Sequence, residues 1–229
     1  MRAFDKLFSI KDKVIIVTGA SGGIGKSLYN ALKSNGAKVI GFARGGPVKV
    51  DLTKQAGRTT AIDYIRKQTK TVDALVNCMG TNTLSWDDTL DTNLTAIYKF
   101  INLVIPLMPS GSSIVNVTSI NSFQAFPNNP QYVASKGGLK MLTKALALDL
   151  GSCNIRVNNL CPGYIHTNMT HESYINEEAH KKRLNRIILN RWGDPKDLIG
   201  PTIFLISDAS SYVTGIDLVV DGGWLIKGI

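Results

Sequence analysis

The chain has 229 residues, 44% hydrophobic and 19% charged, which suits one folded α/β domain with its own core and argues against disorder. Its 26 basic and 17 acidic side chains give a formal charge of +9. No zinc-finger, RNP or Lys/Arg-tract pattern accompanies that charge, so anionic small molecules are the expected ligands and nucleic acid is not.

Apolar runs alternate with amphipathic stretches along the chain. KVIIVTG (13–19) reads as a buried strand, and IGKSLYNALKSNG (24–36) as a helix ending at glycine. KVIGFA (38–43) and VKVDL (48–52) are further strands, followed by a weakly helical stretch over 57–69. DALVNC (73–78) is a strand, and residues 87–108 read as one long helix. SSIVNVTS (112–119) is a strand, and a helix runs from about 131 to 150. NIRVNNLC (154–161), a helix over 195–207 and a last strand, IDLVVDGG (216–223), complete the series. Strands that are apolar throughout and alternate with helices predict a doubly wound parallel sheet covered on both faces. No linker or repeat divides the chain, so one Rossmann-like domain is expected. Ligands of such sheets sit beyond the carboxyl ends of the strands, here near Thr18, Asn77, Ser119 and Pro162.

No apolar run approaches bilayer length, and the start MRAFDKLFSIKDK lacks the apolar centre of a signal peptide. Cys78, Cys153 and Cys161 have no CxxC spacing, and His166, His171 and His180 have no metal-ligand spacing. A cytoplasmic setting without a metal centre is the expectation.

Two motifs carry chemistry. TGASGGIG (Thr18 to Gly25) lies between the first strand and the first helix. Its glycines let a pyrophosphate approach the backbone, and the helix start offers free N–H groups. Tyr132 and Lys136 are four apart, so on a helix a phenol and an ammonium share one face. Taken singly, each has a bland reading, as a core aromatic and a solvated charge.

These motifs resemble those of the short-chain dehydrogenase/reductase family. Ser119 ends a strand, Tyr132 follows thirteen positions on, and Asn93 lies in the preceding long helix. Asn77-Cys78-Met79-Gly80 resembles the family's NNAG, and CPGYIHT (161–167) its PGxIxT loop. TGIDLVVDGGW resembles its usual ending, and the likeness covers nearly the whole chain. The tail looks most like those of gluconate and deoxygluconate dehydrogenases and of 3-oxoacyl-carrier-protein reductases.

The resemblance implies interconversion of a carbonyl and a secondary alcohol with a nicotinamide cofactor. Tyr132 would move the proton, its pKa of about 10 lowered by Lys136. Ser119 would hold the substrate oxygen, and Asn93 a water that links Lys136 to solvent. Cofactor contacts are implied at Gly19, Ser21, Gly22, Gly23, Ile24 and Gly25 in the turn. Others fall at Arg44, Asp51, Leu52, Asn77, Gly80, Tyr132 and Lys136, and in the loop at Pro162, Gly163, Ile165 and Thr167. Ala43 stands where NAD enzymes carry the acid that reads the ribose 2′-OH, and Arg44 follows. NADP(H) is therefore expected ahead of NAD(H).

Two departures stand out. No helix fits between Arg44 and Val48, and Cys78 and Met79 replace family residues at a place expected under the adenine ribose, away from the reacting centre. A mobile substrate lid is implied at about 168–190, followed closely by Arg191. Its Lys181, Lys182, Arg183 and Arg186, with Arg191, are either solvated charges or a grip on an anionic substrate. A cofactor-binding regulator without turnover stays open as another class. A homotetramer or homodimer is implied by the family alone.

Overall fold

Seven strands form one parallel sheet: β1 (Val14–Thr18), β2 (Lys38–Ala43), β3 (Val48–Lys49), β4 (Ala74–Asn77), β5 (Ser113–Val117), β6 (Arg156–Pro162) and β7 (Asp217–Val220). Their order is β3-β2-β1-β4-β5-β6-β7. The order reverses between β1 and β4, which leaves a crevice at the carboxyl ends of those two strands. The computed structural model describes residues 3–83 and 85–227.

The helices are α1 (Ala3–Leu7), α2 (Gly23–Ser34), α3 (Gln55–Gln68), α4 (Trp86–Leu90), α5 (Ala96–Val104), α6 (Pro130–Leu150), α7 (His171–Ile175), α8 (Glu177–Leu184) and α9 (Ile199–Ile206). Successive strand residues point to opposite faces. Ile16, Leu75, Ile114 and Val157 therefore pack with Ile62, Phe100, Ile101 and Leu146 of α3, α5 and α6. Ile15, Val17, Val76 and Val115 pack with Leu28, Leu32 and Leu205 of α2 and α9 on the other side. Both faces are covered, which is why the strands read as unbroken apolar runs.

Three expectations differ in detail. The predicted helix over 87–108 is broken: α4 passes into a π-helical turn, Asp91–Thr95, before α5 begins. One inserted residue at such a turn re-aims the side chains beside it, and Asn93 sits in its centre. The third strand shortens to two residues, because only Phe42–Val48 and Ala43–Lys49 pair. The segment 168–190 carries two helices, α7 and α8, whose short polar sequences give little periodicity to read.

Candidate active site

β1 ends in the glycine turn. Gly19 has φ +71°, and a Cβ there would come within 2.8 Å of the Cys78 carbonyl and the Met79 backbone. A Cβ on Gly25 would overlap the Gly19 carbonyl. Only glycine lets the turn fold against β4 and against itself. The Thr18 hydroxyl accepts from Cys78 N at 3.2 Å and Met79 N at 3.3 Å, which ties the ends of β1 and β4 together.

Beyond these strand ends lies a cleft of about 390 Å³, within the range of small-molecule sites. Gly19, Ser21, Gly22, Gly23, Ile24 and Gly25 line one end, with Arg44, Asp51 and Leu52 beside them. Gly80, Ser119, Tyr132 and Lys136 line the other end, with Pro162, Gly163, Ile165 and Thr167 facing them. Thr53, Val117, Thr118 and Met169 also line it; no motif marks them, because only the fold brings them there.

Tyr132 and Lys136 project from the first turns of α6, which starts with Pro130 at a position that needs no N–H. The Lys136 ammonium is 5.8 Å from the Tyr132 ring centre and donates to Val117 O at 2.9 Å. Ser119 is extended and accepts from Asn121 N at 3.1 Å, so its hydroxyl projects from the end of β5. The Ser119 hydroxyl lies beside the Tyr132 phenol and acts on its ionisation, and both side chains line the same cleft.

The titration of this group differs from the expectation. Burial pushes the Tyr132 phenol up to about 12; the Ser119 hydroxyl opposes that shift and the Cys78 thiol adds to it. Burial also brings Lys136 down to about 8, with Cys78 and Cys161 acting the other way. Enclosure disfavours both charged forms, and the ammonium faces Val117 O rather than the phenol. Tyr132 is thus a protonated donor across the neutral range.

Three side chains have surroundings that the sequence did not announce. Cys78 stands against Tyr132 and Lys136 and not away from them: its thiol acts on both, and burial raises its own pKa to about 12. Asn77 does not line the cleft. Its side chain is fully buried and its Nδ2 donates to Asn116 Oδ1 at 2.9 Å. Asn93 is also behind the wall, and its side chain is committed elsewhere. Oδ1 accepts from Thr81 N at 2.8 Å, and Nδ2 donates to Thr81 O at 2.9 Å and Ser135 Oγ at 3.0 Å. The π-helical turn aims this amide at the next helix, so the side chain clamps α6 to the Thr81 backbone.

At the far end of the cleft, Thr53 N and Oγ1 donate to Asp51 Oδ1 at 3.0 and 2.7 Å. Burial opposes ionisation of Asp51. The Thr53 hydrogen bonds and the nearby Arg44 and Lys54 charges outweigh it, so its carboxyl lies below the usual range. Arg44 follows β2 directly, because residues 44–47 are a turn and no helix intervenes.

A family model described as enoyl-(acyl carrier protein) reductase matches residues 40–225. The chain belongs to the short-chain dehydrogenase/reductase family. It is 32% identical to the 2-dehydro-3-deoxy-D-gluconate 5-dehydrogenase of Escherichia coli, over 96% of this chain and 98% of that one. It is 33% identical to the 3-oxoacyl-[acyl-carrier-protein] reductase FabG of Thermotoga maritima, over 95% and 99%. Among solved structures, the Pseudomonas aeruginosa RhlG/NADP active-site complex superposes with a TM-score of 0.88 at 27% identity, over 96% and 98%. This member of the family is an oxidoreductase that uses a nicotinamide cofactor.

Proposed function

We propose that the chain reduces a ketone to a secondary alcohol, and runs the reverse, on a small hydroxy or keto acid, with NADP(H) preferred to NAD(H). The observation that carries the reading is the convergence of Ser119, Tyr132 and Lys136 on one cleft that the glycine turn also lines.

The residues present fit such a cofactor. A Cβ on Gly22 would meet nothing within 4 Å, so the backbone there is open to a pyrophosphate. Arg44 offers a planar fork to a 2′-phosphate, and no carboxylate stands at Ala43 to repel it. When bound, the nicotinamide supplies or takes the hydride. Tyr132 hands its proton to the carbonyl oxygen, which suits a phenol that stays protonated at neutral pH. The Ser119 hydroxyl orients that oxygen. Lys136 carries the positive charge that steadies the phenolate left behind. Asn93 positions both by pinning Ser135 to the Thr81 backbone.

The sugar-acid reading draws support from the deoxygluconate relative and from the chain's basic balance. The 3-oxoacyl thioester reading draws on the FabG relative and is the alternative. Self-association is part of the proposal: Met141 and Leu148 of α6 are 60% and 84% exposed, and Tyr98 and Leu103 of α5 are exposed too. A second copy of the chain would cover them. The test follows oxidation of NADPH and NADH by purified protein with keto-sugar acids, neutral ketoses and 3-oxoacyl thioesters. Turnover of no carbonyl with either cofactor refutes the proposal.

A further inference from the structure

The lid covers an aromatic cluster beside the cleft. Tyr164 follows Gly163 of the cleft wall, and its ring lies 4.6 Å from Trp224 and 5.2 Å from Trp192. Ile120, the residue after Ser119, belongs to the same cluster. Trp224 is carried under the lid by the Gly222-Gly223 turn, both with positive φ, where Leu189 N donates to Gly222 O at 3.1 Å.

Two arginines close this cluster from the lid side. The Arg183 guanidinium lies 5.1 Å from the centre of the Tyr164 ring, and its Nη1 donates to Ala179 O at 3.2 Å. The Arg186 guanidinium lies 4.8 Å from the Trp224 ring. Among the described residues, no carboxylate pairs with either. Arg191, by contrast, is already paired to Asp197 at 2.7 Å. Lys181 and Lys182 are exposed, as solvated charges are. Arg183 differs from them in being half-buried, and Arg186, though exposed as they are, keeps its guanidinium against a buried ring.

The cluster also holds donors with nothing to donate to. Arg183 Nε, Trp224 Nε1 and Trp192 Nε1 are buried without a partner, and Trp224 is 3% exposed. Buried polar groups are normally hydrogen-bonded, so several bare N–H groups in one cluster point to a missing acceptor. The bare Nε belongs to a half-buried guanidinium that no carboxylate faces, and Arg186 adds a second positive charge beside it, so the acceptor is anionic.

We infer that Arg183 and Arg186, with the Trp224 indole N–H, form a subsite for the carboxylate of a hydroxy or keto acid whose reacting carbon lies at Ser119 and Tyr132. This rests on the hydride-transfer reading above and assigns the residues that choose its substrate. The ring stacking fixes each fork before the ligand arrives, which lowers the ordering cost of binding. A neutral ketose leaves the donors bare and is selected against.

The experiment has two arms. In the first, tryptophan fluorescence of the cofactor-free protein is titrated with D-gluconate and with sorbitol, its neutral counterpart. Gluconate should give a saturable change that weakens with salt, and sorbitol none. Arg183→Gln and Arg186→Gln should each weaken gluconate binding by about 10- to 100-fold, the usual worth of a charge-assisted hydrogen bond. Arg183→Lys and Arg186→Lys keep the charge but lose the fork and should recover part of it. NADPH binding by each variant reports an intact fold. In the second arm, kcat/KM with NADPH is compared for 5-keto-D-gluconate and L-sorbose, in which CH2OH replaces the carboxylate. The Gln variants should lose the first and keep the second within about threefold, far below the charged-contact loss. Equal losses on both substrates, or no gluconate response in the wild type, overturn the inference and leave hydride transfer standing. Gluconate binding through the arginines, without turnover of any carbonyl, sinks the hydride-transfer reading and leaves the anion subsite.

Discussion

Lys136→Met should make this protein more stable at neutral pH while abolishing its chemistry. Lys136 is 4% exposed, and burial lowers its pKa from 10.5 to about 8. At 1.36 kcal/mol per unit, holding the ammonium in that place costs about 3 kcal/mol. The sign follows from which state holds the proton. Below pH 8 both folded and unfolded chains are protonated, and the folded one bears the whole penalty. Between pH 8 and 10.5 the folded lysine is neutral while the unfolded one is still charged, so the penalty fades as pH rises. Above 10.5 it is gone. Methionine has similar length and no charge, but it leaves Val117 O without its 2.9 Å donor, which returns about 1 kcal/mol. The net gain is about 2 kcal/mol at pH 7, with the variant's advantage shrinking towards pH 10. Urea unfolding at fixed protein concentration, from pH 7 to pH 10, measures it. A variant less stable at pH 7, or a difference that does not change with pH, would refute the reasoning.

Tyr132→Phe removes only the hydroxyl. kcat should fall by about 100- to 10,000-fold, the worth of general acid catalysis, with cofactor affinity nearly unchanged in a fluorescence titration. Replacing Ala43 by Asp together with Arg44→Ala should move the kcat/KM ratio towards NADH, since a carboxylate repels a 2′-phosphate and accepts from a 2′-OH; a wild type that already prefers NADH would remove Arg44 from this role. Gly25→Ala sets a Cβ into the Gly19 carbonyl. Cofactor binding should be lost before the fold melts, and an alanine variant that binds NADPH normally would show that the turn is looser than drawn.

The sheet and the meeting of Tyr132 with Lys136 on one helix face were legible because local rules and tertiary structure agree there. Apolar strands mean two covered faces, and Tyr132 and Lys136 meet because a helix turns in 3.6 residues. What escaped the sequence depends on packing across distant segments. Nothing in DTNLT announces a π-helical turn, which shows itself only as Asn93 reaching Thr81 and Ser135. The position of Cys78 beside Lys136, and the upward shift of Tyr132, follow from enclosure, which a linear pattern does not contain. The charges of 181–191 looked alike in sequence. In the fold they divide into exposed lysines without a ring contact, half-buried Arg183 and exposed Arg186 each against an aromatic ring, and Arg191 in an ion pair.

Asn77 explains how such a site is held. Under the cleft, Asn77 donates to Asn116, Asn116 Nδ2 to Thr143 Oγ1 at 2.8 Å, and Thr143 to Asn159 Oδ1 at 2.7 Å. Asn159 Nδ2 donates to Asp217 Oδ1 at 2.8 Å, and Lys144 meets Asp217 Oδ2 at 3.0 Å. The chain of bonds joins β4, β5, α6, β6 and β7 through the interior. An apolar core of equal volume would stabilise the fold as well, but it would allow the layers to slide. Fixed donors and acceptors permit one register only. The strand ends that wall the cleft and the helix that carries Tyr132 and Lys136 are therefore locked to each other from below. Asn93 locks the same helix from the side. The polar residues spent in the core are those that keep Tyr132, Lys136 and the cleft wall in one geometry.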